Sequence, residues 1–488
     1  MTALATVPAP LGPLPLAHGV GARHDLPLSP FYAYAGAFAA LFVSFLSLGL
    51  LWSSSRFHGD RAGRPLPAAV QRLADAPATR TALRVLGAAA ALALVLHLLL
   101  GPDDPDRNPA PGAVYVLLWV GLVPASLLVG PAWRLLNPLR ALQAALPARR
   151  SSRPIPALQA ALPARRSSRP IRALRAALPA RRSSRPIRAL RAALPARQAA
   201  LPARRSPRPI PARLGIRPAA AGLLLFTWLE LVAPDNTAAP VLLTALATHT
   251  AVQLLGATRY GPDWFAHADP FEVYSSLLAR LSPFGRRADG RLVLRSPFDG
   301  LDATPPVPGL VATVCVLLGS TAYDGLSDNP RWITTLQTSP FGRTPTATLG
   351  LLAAVALVAA LYGLCAGTLR LLNRELTTPL TSFAHSLLPI ALGYLVAHYF
   401  TLFATEGPRT VIMAGGTDNA PAPAPPLGPG GLATLQVAAI VTGHVLGVVA
   451  AHDRSVRLLP PARAVAGQLP LFVLMIAYTL GGIGLLIA

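Results

Sequence analysis

The chain has 488 residues, of which 52% are hydrophobic and 13% are charged, and its mean hydropathy is +0.48. This composition excludes a disordered chain and an ordinary soluble domain, and it is typical of a polytopic membrane protein. The formal net charge of +23 comes from one stretch, since residues 140–217 hold 20 arginines and no acidic residue, whereas the rest of the chain has 23 arginines against 20 acidic residues. The basicity therefore belongs to one loop, and we expect no nucleic-acid partner.

Residues 1–30 precede the first apolar segment and are predicted to form an extracellular N-terminal arm. Residues 1–17 are apolar and rich in proline, as at the end of a secretory leader, but they lack the charged beginning of one. If a leader is cleaved before His18, the free amine and imidazole of that residue, together with His24, form a set that binds copper. The alternative is a plain extracellular arm.

Apolar segments of spanning length recur ten times along the chain. They lie at Phe31–Trp52, Leu83–Leu100, Ala113–Trp133, Ala219–Val232, Ala239–Leu255, Pro308–Ala322, Thr346–Leu369, Ser382–Phe403, Leu432–Ala451 and Gln468–Ala488. They form three groups, within residues 31–138, 218–258 and 308–488. Because the fourth, fifth and sixth are short or interrupted, eight or nine spans are alternatives. The sequence therefore predicts an all-α integral membrane protein with about ten transmembrane helices in the lipid bilayer of the plasma (cytoplasmic) membrane.

The arginines of the loops give this arrangement an orientation. When the N-terminus is placed outside and residues 140–217 are set aside, 18 arginines lie in the loops of the cytoplasmic side and five on the other. Cytoplasmic loops of membrane proteins carry an excess of basic residues. Both termini are therefore predicted to face outward.

The basic loop, residues 139–217, contains a repeat of 16 residues. The segment ALQAALPARRSSRPIP at 141–156 recurs almost unchanged at 157–172 and at 173–188. Proline in each copy interrupts a helix, and the composition predicts a disordered cytoplasmic loop. A sharper alternative is contact between its arginines and anionic lipid headgroups.

The polar stretch 259–307 is predicted to form a small cytoplasmic helix and hairpin packed on the ends of the spans. Phe271, Tyr274, Leu278 and Leu281 share one face of a helix. The dipeptide at 289–290 is Asp-Gly, which is typical of a hairpin turn. We expect this element to be structural, since it contains no catalytic set.

Ionisable side chains lie inside several apolar segments, where a polar group is costly unless it has a partner or faces a cavity. At about 1.5 Å of rise per residue, His249 and His444 fall near the midplane, His385 toward the cytoplasm and His398 toward the outside. Glu230 lies near the outer end of the fourth segment. Such residues are candidates for a functional site.

Three interpretations of these residues stay open. His249, His398 and His444, with Glu230, are candidate ligands of a divalent transition metal such as zinc or copper. Haem is the less favoured cofactor, because axial histidines on facing helices would have to match in depth and the spacings do not. In the third interpretation each histidine bonds only to a neighbouring helix.

Five stretches of the chain resemble a family of actinobacterial multi-pass membrane proteins labelled fenitrothion hydrolase. They are HGVGARHDLP at 18–27, FEVYSSLLARLSPFGRRADGRLVLR at 271–295, VLLGSTAYDGLS at 316–327, FAHSLLPIALGYLVAHYF at 383–400 and GHVLGVVAAHDR at 443–454. The resemblance implies hydrolysis of an organophosphorus ester.

Under this hypothesis the metal lowers the pKa of a bound water, which attacks the phosphorus atom of the ester. His385 or Tyr394, which shares a helix face with His398, handles protons as the catalytic group. Metal or haem handling in membrane redox chemistry, transport of a small solute and a purely structural role are the alternatives.

Overall fold

The computed structural model describes residues 30–145, 207–372, 378–417, 419–460 and 464–487. Within these ranges nine helices are long and apolar enough to cross a membrane. The protein is therefore a helical multi-pass membrane protein, as its composition and hydropathy predict. The predicted N-terminal arm with His18 and His24, and residues 146–206 of the repeat loop, lie outside the described residues.

The helices are named here in chain order. They are α1 (Pro30–Leu51), α2 (Ala68–Asp75), α3 (Pro77–Leu100), α4 (Ala110–Val129), α5 (Ala132–Leu136), α6 (Pro138–Ala145), α7 (Arg217–Leu231), α8 (Ala239–Tyr260), α9 (Trp264–Ala268), α10 (Pro270–Leu278), α11 (Pro297–Asp302), α12 (Leu310–Ser327), α13 (Pro330–Thr338), α14 (Arg343–Leu372), α15 (Pro379–Phe383), α16 (Leu388–Ala414), α17 (Pro429–Leu458) and α18 (Leu469–Ile487). Short 3-10 turns lie at Gly59–Arg61, Ala279–Leu281, Ala384–Leu387 and Ala466–Gln468.

The expected fourth span is shorter than the others. Helix α7 has 15 residues, which at about 1.5 Å each gives roughly 22 Å, less than the hydrocarbon thickness of a bilayer. Ala219, Leu223 and Phe226 are buried along one side of it, and α7 packs against α12 and α10. Thus α7 buries one side against α12 and α10, whereas Leu225 on another side is 68% exposed.

A three-stranded antiparallel sheet lies beside the helices, in the order β1–β3–β2 (Arg64–Pro65, Leu292–Leu294 and Phe284–Arg286). The hairpin β2–β3 is present where the sequence predicts it, with Gly290 at a φ of +81°, a conformation that glycine adopts without strain. The third strand, β1, comes from the loop after α1 and pairs with β3. The local sequence does not predict this long-range pairing.

The predicted cytoplasmic helix lies deeper than we expected. Nearly every residue of α10 is buried, and the helix packs against α4, α5 and α7. The ring of Tyr274 stacks on the ring of Trp119 with 4.6 Å between centroids, and Trp119 is midway along α4. Helix α10 therefore inserts between the spans, because its apolar face is complemented there by aromatic side chains and not by solvent.

Helices α16 and α17 approach each other closely through glycines. A Cβ atom at Gly393 would lie 2.5 Å from the carbonyl oxygen of Ala439, and one at Gly443 would lie 2.5 Å from that of Pro389. Small residues allow helix backbones to come this close, which is the main source of helix packing in a bilayer. This contact positions the two helices that carry His398 and His444.

Candidate functional site

The last turn of α12 carries a buried carboxylate. Asp324 is 2% exposed, and its Oδ2 atom accepts hydrogen bonds from Nε2 of His398 and from the hydroxyl of Tyr399, each at 2.7 Å. His398 and Tyr399 are consecutive residues of α16, and their rings are nearly perpendicular, with centroids 4.8 Å apart. Both side chains therefore hold the same oxygen atom from one helix.

The third span is distorted next to this carboxylate. Residues Ala113–Val120 of α4 form a π-helical segment, in which the amide of Gly121 donates to the carbonyl of Val116 five residues back. Such segments are rare and occur most often at functional sites. Here the segment buries Tyr115 and Trp119 and packs against α16.

A second buried carboxylate lies on α7. Glu230 is 3% exposed, and its charge is close enough to that of Asp324 for the two to interact. Among the described residues its Oε2 atom has no hydrogen-bond partner, and neither have the hydroxyl of Tyr274 and Nε1 of Trp119. We call Glu230, Asp324, His398 and Tyr399 the acid–histidine cluster.

The end of α7 is closed by a network that leaves the Glu230 carboxylate free. The side-chain amide of Asn236 donates to the backbone oxygen of Glu230 at 2.6 Å, and the hydroxyl of Tyr115 donates to the backbone oxygen of Asn236 at 2.8 Å. These bonds hold the turn after α7 against α4. Because they use backbone oxygens, they do not neutralise the carboxylate.

His444 and Tyr394 are neighbours, away from Asp324. Nδ1 of His444 lies 2.9 Å from the carbonyl of Ile440 one turn earlier, and Nε2 is buried without a partner among the described residues. The Tyr394 ring meets the His444 ring edge-on at 5.6 Å, and its hydroxyl donates to the backbone oxygen of Tyr478. Thus Tyr394 and His398, which share a face of α16, meet different neighbours.

His249 lies on α8 beside the beginning of α10. Its ring is edge-on to Phe271 at 5.9 Å, and its charge interacts with that of Asp269. Asp269 caps α10 by accepting from the amides of Phe271 and Glu272, and it also accepts from the side chain of Asn137 at 2.8 Å. Burial raises the pKa of Asp269, which lies outside the spans.

His385 occupies the turn before α16 and is buried, with no hydrogen-bond partner for Nδ1 among the described residues. The nearest charges are those of the Arg454–Asp302 ion pair, whose atoms lie 3.1 Å apart. His452, on α17, has Nε2 at 2.9 Å from the backbone oxygen of Trp52 and Nδ1 beside the Gln468 side chain. Both nitrogens of His452 are therefore occupied.

The residues predicted to share a metal do not converge. In the described parts of the chain, no group of three or more His, Cys, Asp or Glu side chains is arranged to hold a metal ion. His398 contacts Asp324 and shares the acid–histidine cluster with Glu230, whereas His249 and His444 have the separate surroundings given above. The prediction relied on the depth of each residue along its helix. Depth alone does not determine whether side chains meet, because the lateral position and rotation of each helix also decide it.

Two members of the cluster were not among the predicted site residues. The sixth apolar segment was ended at Ala322, which placed Asp324 in a loop, but α12 continues to Ser327. The signal was present in the sequence, since Asp324 is the sole acidic residue within α12. Tyr399 was not predicted as a site residue, because a tyrosine in an apolar helix is usually a packing residue.

The fold and these contacts define a helical multi-pass membrane protein whose interior holds two carboxylates, a histidine and a tyrosine in one cluster. Comparison with models of protein families, with curated proteins and with solved structures gave no match.

Proposed function

We propose that this protein binds and releases protons at the acid–histidine cluster, and that it couples this to the passage of a small solute through the cytoplasmic membrane. The observation that supports the proposal is the 2.7 Å bond between His398 and Asp324, with Glu230 nearby and no arginine paired with either carboxylate within the described residues. Ionisable residues inside membrane proteins are typical of proton relays and transport sites.

The energetics of burial favour a site that exchanges protons. An isolated carboxylate in an apolar environment is strongly disfavoured unless it is paired or protonated. The cluster combines two neighbouring carboxylates with one imidazole, so it holds one basic group for two acids. Adding or removing a proton therefore changes the net charge of the cluster, and with it the cost of burying the cluster between α7, α12 and α16.

When α7 is counted as a crossing, as in the ten predicted spans, the distribution of arginines supports an orientation in which α12 ends at the outer face. In that orientation Asp324, at the end of α12, and Glu230, at the end of α7, lie toward the outer side. In this arrangement the transported solute either reaches the cluster from the outer side of the membrane or leaves the protein on that side. An excess of arginine in the loops of the opposite side is the support for this arrangement.

Hydrolysis of an organophosphorus ester is the second candidate function. The observation in its favour is that Asp324 orients the imidazole of His398 through Nε2, so that Nδ1, which makes no hydrogen bond in the described part of the chain, is the basic nitrogen. Nδ1 would take a proton from water as the water oxygen attacks phosphorus and the leaving alcohol or phenol departs as its anion. This mechanism uses a histidine–carboxylate pair, and no step in it needs a metal.

Infrared difference spectroscopy of the purified protein in lipid nanodiscs tests the main proposal. Between acidic and alkaline buffer we expect a carboxylic-acid C=O band that is lost or shifted in Asp324→Asn and in Glu230→Gln. Asp235→Asn is the matched control, because Asp235 is exposed and its positive φ of 50° suits asparagine equally well. A titrating band that neither cluster variant alters would overturn the proposal.

Two assays on the same samples separate the candidates. Release of nitrophenol from an organophosphate ester, lost in His398→Ala and kept in Asp235→Asn, would support hydrolysis. Proton uptake into proteoliposomes that depends on an added solute and on Asp324 would support transport. Zinc and copper analysis of the purified protein tests the metal expectation independently of both.

A further inference from the structure

One turn beyond Asp324, the end of α12 carries a second aspartate. Asp328 follows Ser327, the last residue of α12, and lies four positions after Asp324, so the two carboxylates lie on the same side of the helix. Asp324 is 2% exposed, whereas Asp328 reaches solvent at the helix end, although its carboxyl group is partly covered. The pair therefore runs from the surface to the buried cluster.

Asp328 interacts with both members of the His398–Asp324 bond. Its carboxylate feels the charge of Asp324 on its own helix and that of His398 on α16. Arg331 on α13 and Arg343 on α14 are the next arginines along the chain, and neither forms an ion pair with Asp328 within the described residues. Neither arginine therefore holds Asp328 in one charge state.

Helix stability does not explain an aspartate at this position. The C-terminus of a helix carries a partial negative charge, so an acidic residue there is unfavourable by about 0.3–1 kcal/mol. Other acidic residues, in the loop after α3 and in the second half of α16, have clear structural partners. Asp106 and Glu406 both pair with Arg409, at 2.9 and 3.1 Å, and Asp103 caps α8 by accepting from the amide of Ala239 at 3.1 Å.

We propose that Asp328 is the surface group through which protons enter and leave the His398–Asp324 pair. A proton taken from water by the carboxylate of Asp328 passes to the imidazole of His398, directly or through water, and then along the 2.7 Å bond to Asp324. The reverse sequence returns it to the solvent. Partial burial of the carboxyl group and the charge of Asp324 raise the pKa of Asp328, which favours its service as a proton donor.

This inference rests on the proposed function, and a kinetic experiment separates the two. The C=O band of the cluster is followed in time after a rapid pH jump, using the full-length protein in nanodiscs. In Asp328→Asn we expect the band to remain but its appearance to slow at least about tenfold, because a positioned proton donor typically accelerates transfer by two or more orders of magnitude. Sodium formate, a small proton carrier, should restore the rate.

Two control variants and a measurement of the unfolding temperature distinguish a proton-transfer role of Asp328 from a structural one. Asp328→Glu should keep the fast rate, and Asp235→Asn should react as the unmodified protein does. A purely structural role for Asp328 would lower the unfolding temperature of Asp328→Asn without any rescue of the rate by formate. An unchanged rate in Asp328→Asn would overturn the inference and leave the proton-binding cluster standing, whereas a missing band in the unmodified protein would overturn the cluster itself.

Discussion

The imidazole of His398 and the carboxylate of Asp324 are joined by a hydrogen bond of 2.7 Å that connects α16 to α12. The two residues are 74 positions apart in the chain, and each lies in a helix that is long and apolar enough to cross a membrane. Both side chains are nearly inaccessible, at 9% and 3% exposure. A bond of this kind couples the position of two helices to the position of one proton.

Tyr399→Phe should destabilise the protein, because it removes one of the two hydrogen bonds to the buried Asp324. Bonds to charged groups contribute about 1.5–3 kcal/mol, so we expect a lower unfolding temperature in detergent. Tyr32→Phe on α1 is the matched control, since the Tyr32 side chain is 73% exposed. Equal unfolding temperatures for the two variants would show that the Tyr399 bond contributes no stability.

Arg140→Ala should be one of the more damaging substitutions outside the cluster. The guanidinium of Arg140 on α6 holds the buried Glu272 of α10 with two bonds, at 2.7 and 2.6 Å. Removing it leaves a carboxylate that is 1% exposed without its main cation, at a cost of roughly 3–5 kcal/mol. The measurement is the free energy of unfolding in mixed micelles.

The exposed pair Arg286–Asp75 is the control for this prediction. Its atoms lie 2.7 Å apart, but both side chains are more than 40% exposed. Solvent screening limits such a pair to about 0–1 kcal/mol, so Arg286→Ala should have a small effect. If Arg140→Ala and Arg286→Ala cost the same, burial is not what makes the Arg140–Glu272 pair important.

Gly443→Ala should separate α16 from α17. The added Cβ atom would lie 2.5 Å from the carbonyl oxygen of Pro389, so the helices must shift, at a cost of about 1–3 kcal/mol. Gly481→Ala on α18 meets nothing within 4 Å and should be neutral or stabilising by up to about 1 kcal/mol. Thermal unfolding of the two variants side by side measures the difference, and an equally tolerant Gly443 would contradict the close packing.

The effect of Asp328→Asn on stability should depend on pH. Partial burial and the neighbouring Asp324 raise the pKa of Asp328 in the folded protein, so its stabilising contribution is present at low pH. That contribution is lost as the pH rises through the folded-state pKa, which lies above the usual value of about 3.9. The unfolding temperature of Asp328→Asn minus that of the unmodified protein should therefore increase from about pH 3 to about pH 7. A difference that stays constant over this pH range would contradict the raised pKa of Asp328.

Local features of this fold could be predicted because their causes are local. A span requires a run of apolar residues, and α3, α14, α16 and α17 are such runs. The turn at 289–290 needs a residue that tolerates positive φ, and Gly290 provides it. The burial of His385 and His444 likewise followed from the apolar residues around them.

Features that depend on neighbouring helices could not be predicted in this way. The insertion of α10 between spans depends on the stacking of Tyr274 on Trp119, two residues that are 155 positions apart. Asp324 was missed because the apolar run stops before the helix does.

The sequence by itself determined that the chain crosses a membrane as helices and that several of its histidines are buried there, since both follow from hydrophobicity and spacing within single segments. Only the tertiary structure decided what each histidine meets. It joined His398 to Asp324 and Tyr399, and it left His444 beside Tyr394. The physical reason is that partner choice depends on the rotation and lateral order of the helices, which arise from packing between segments far apart in the chain.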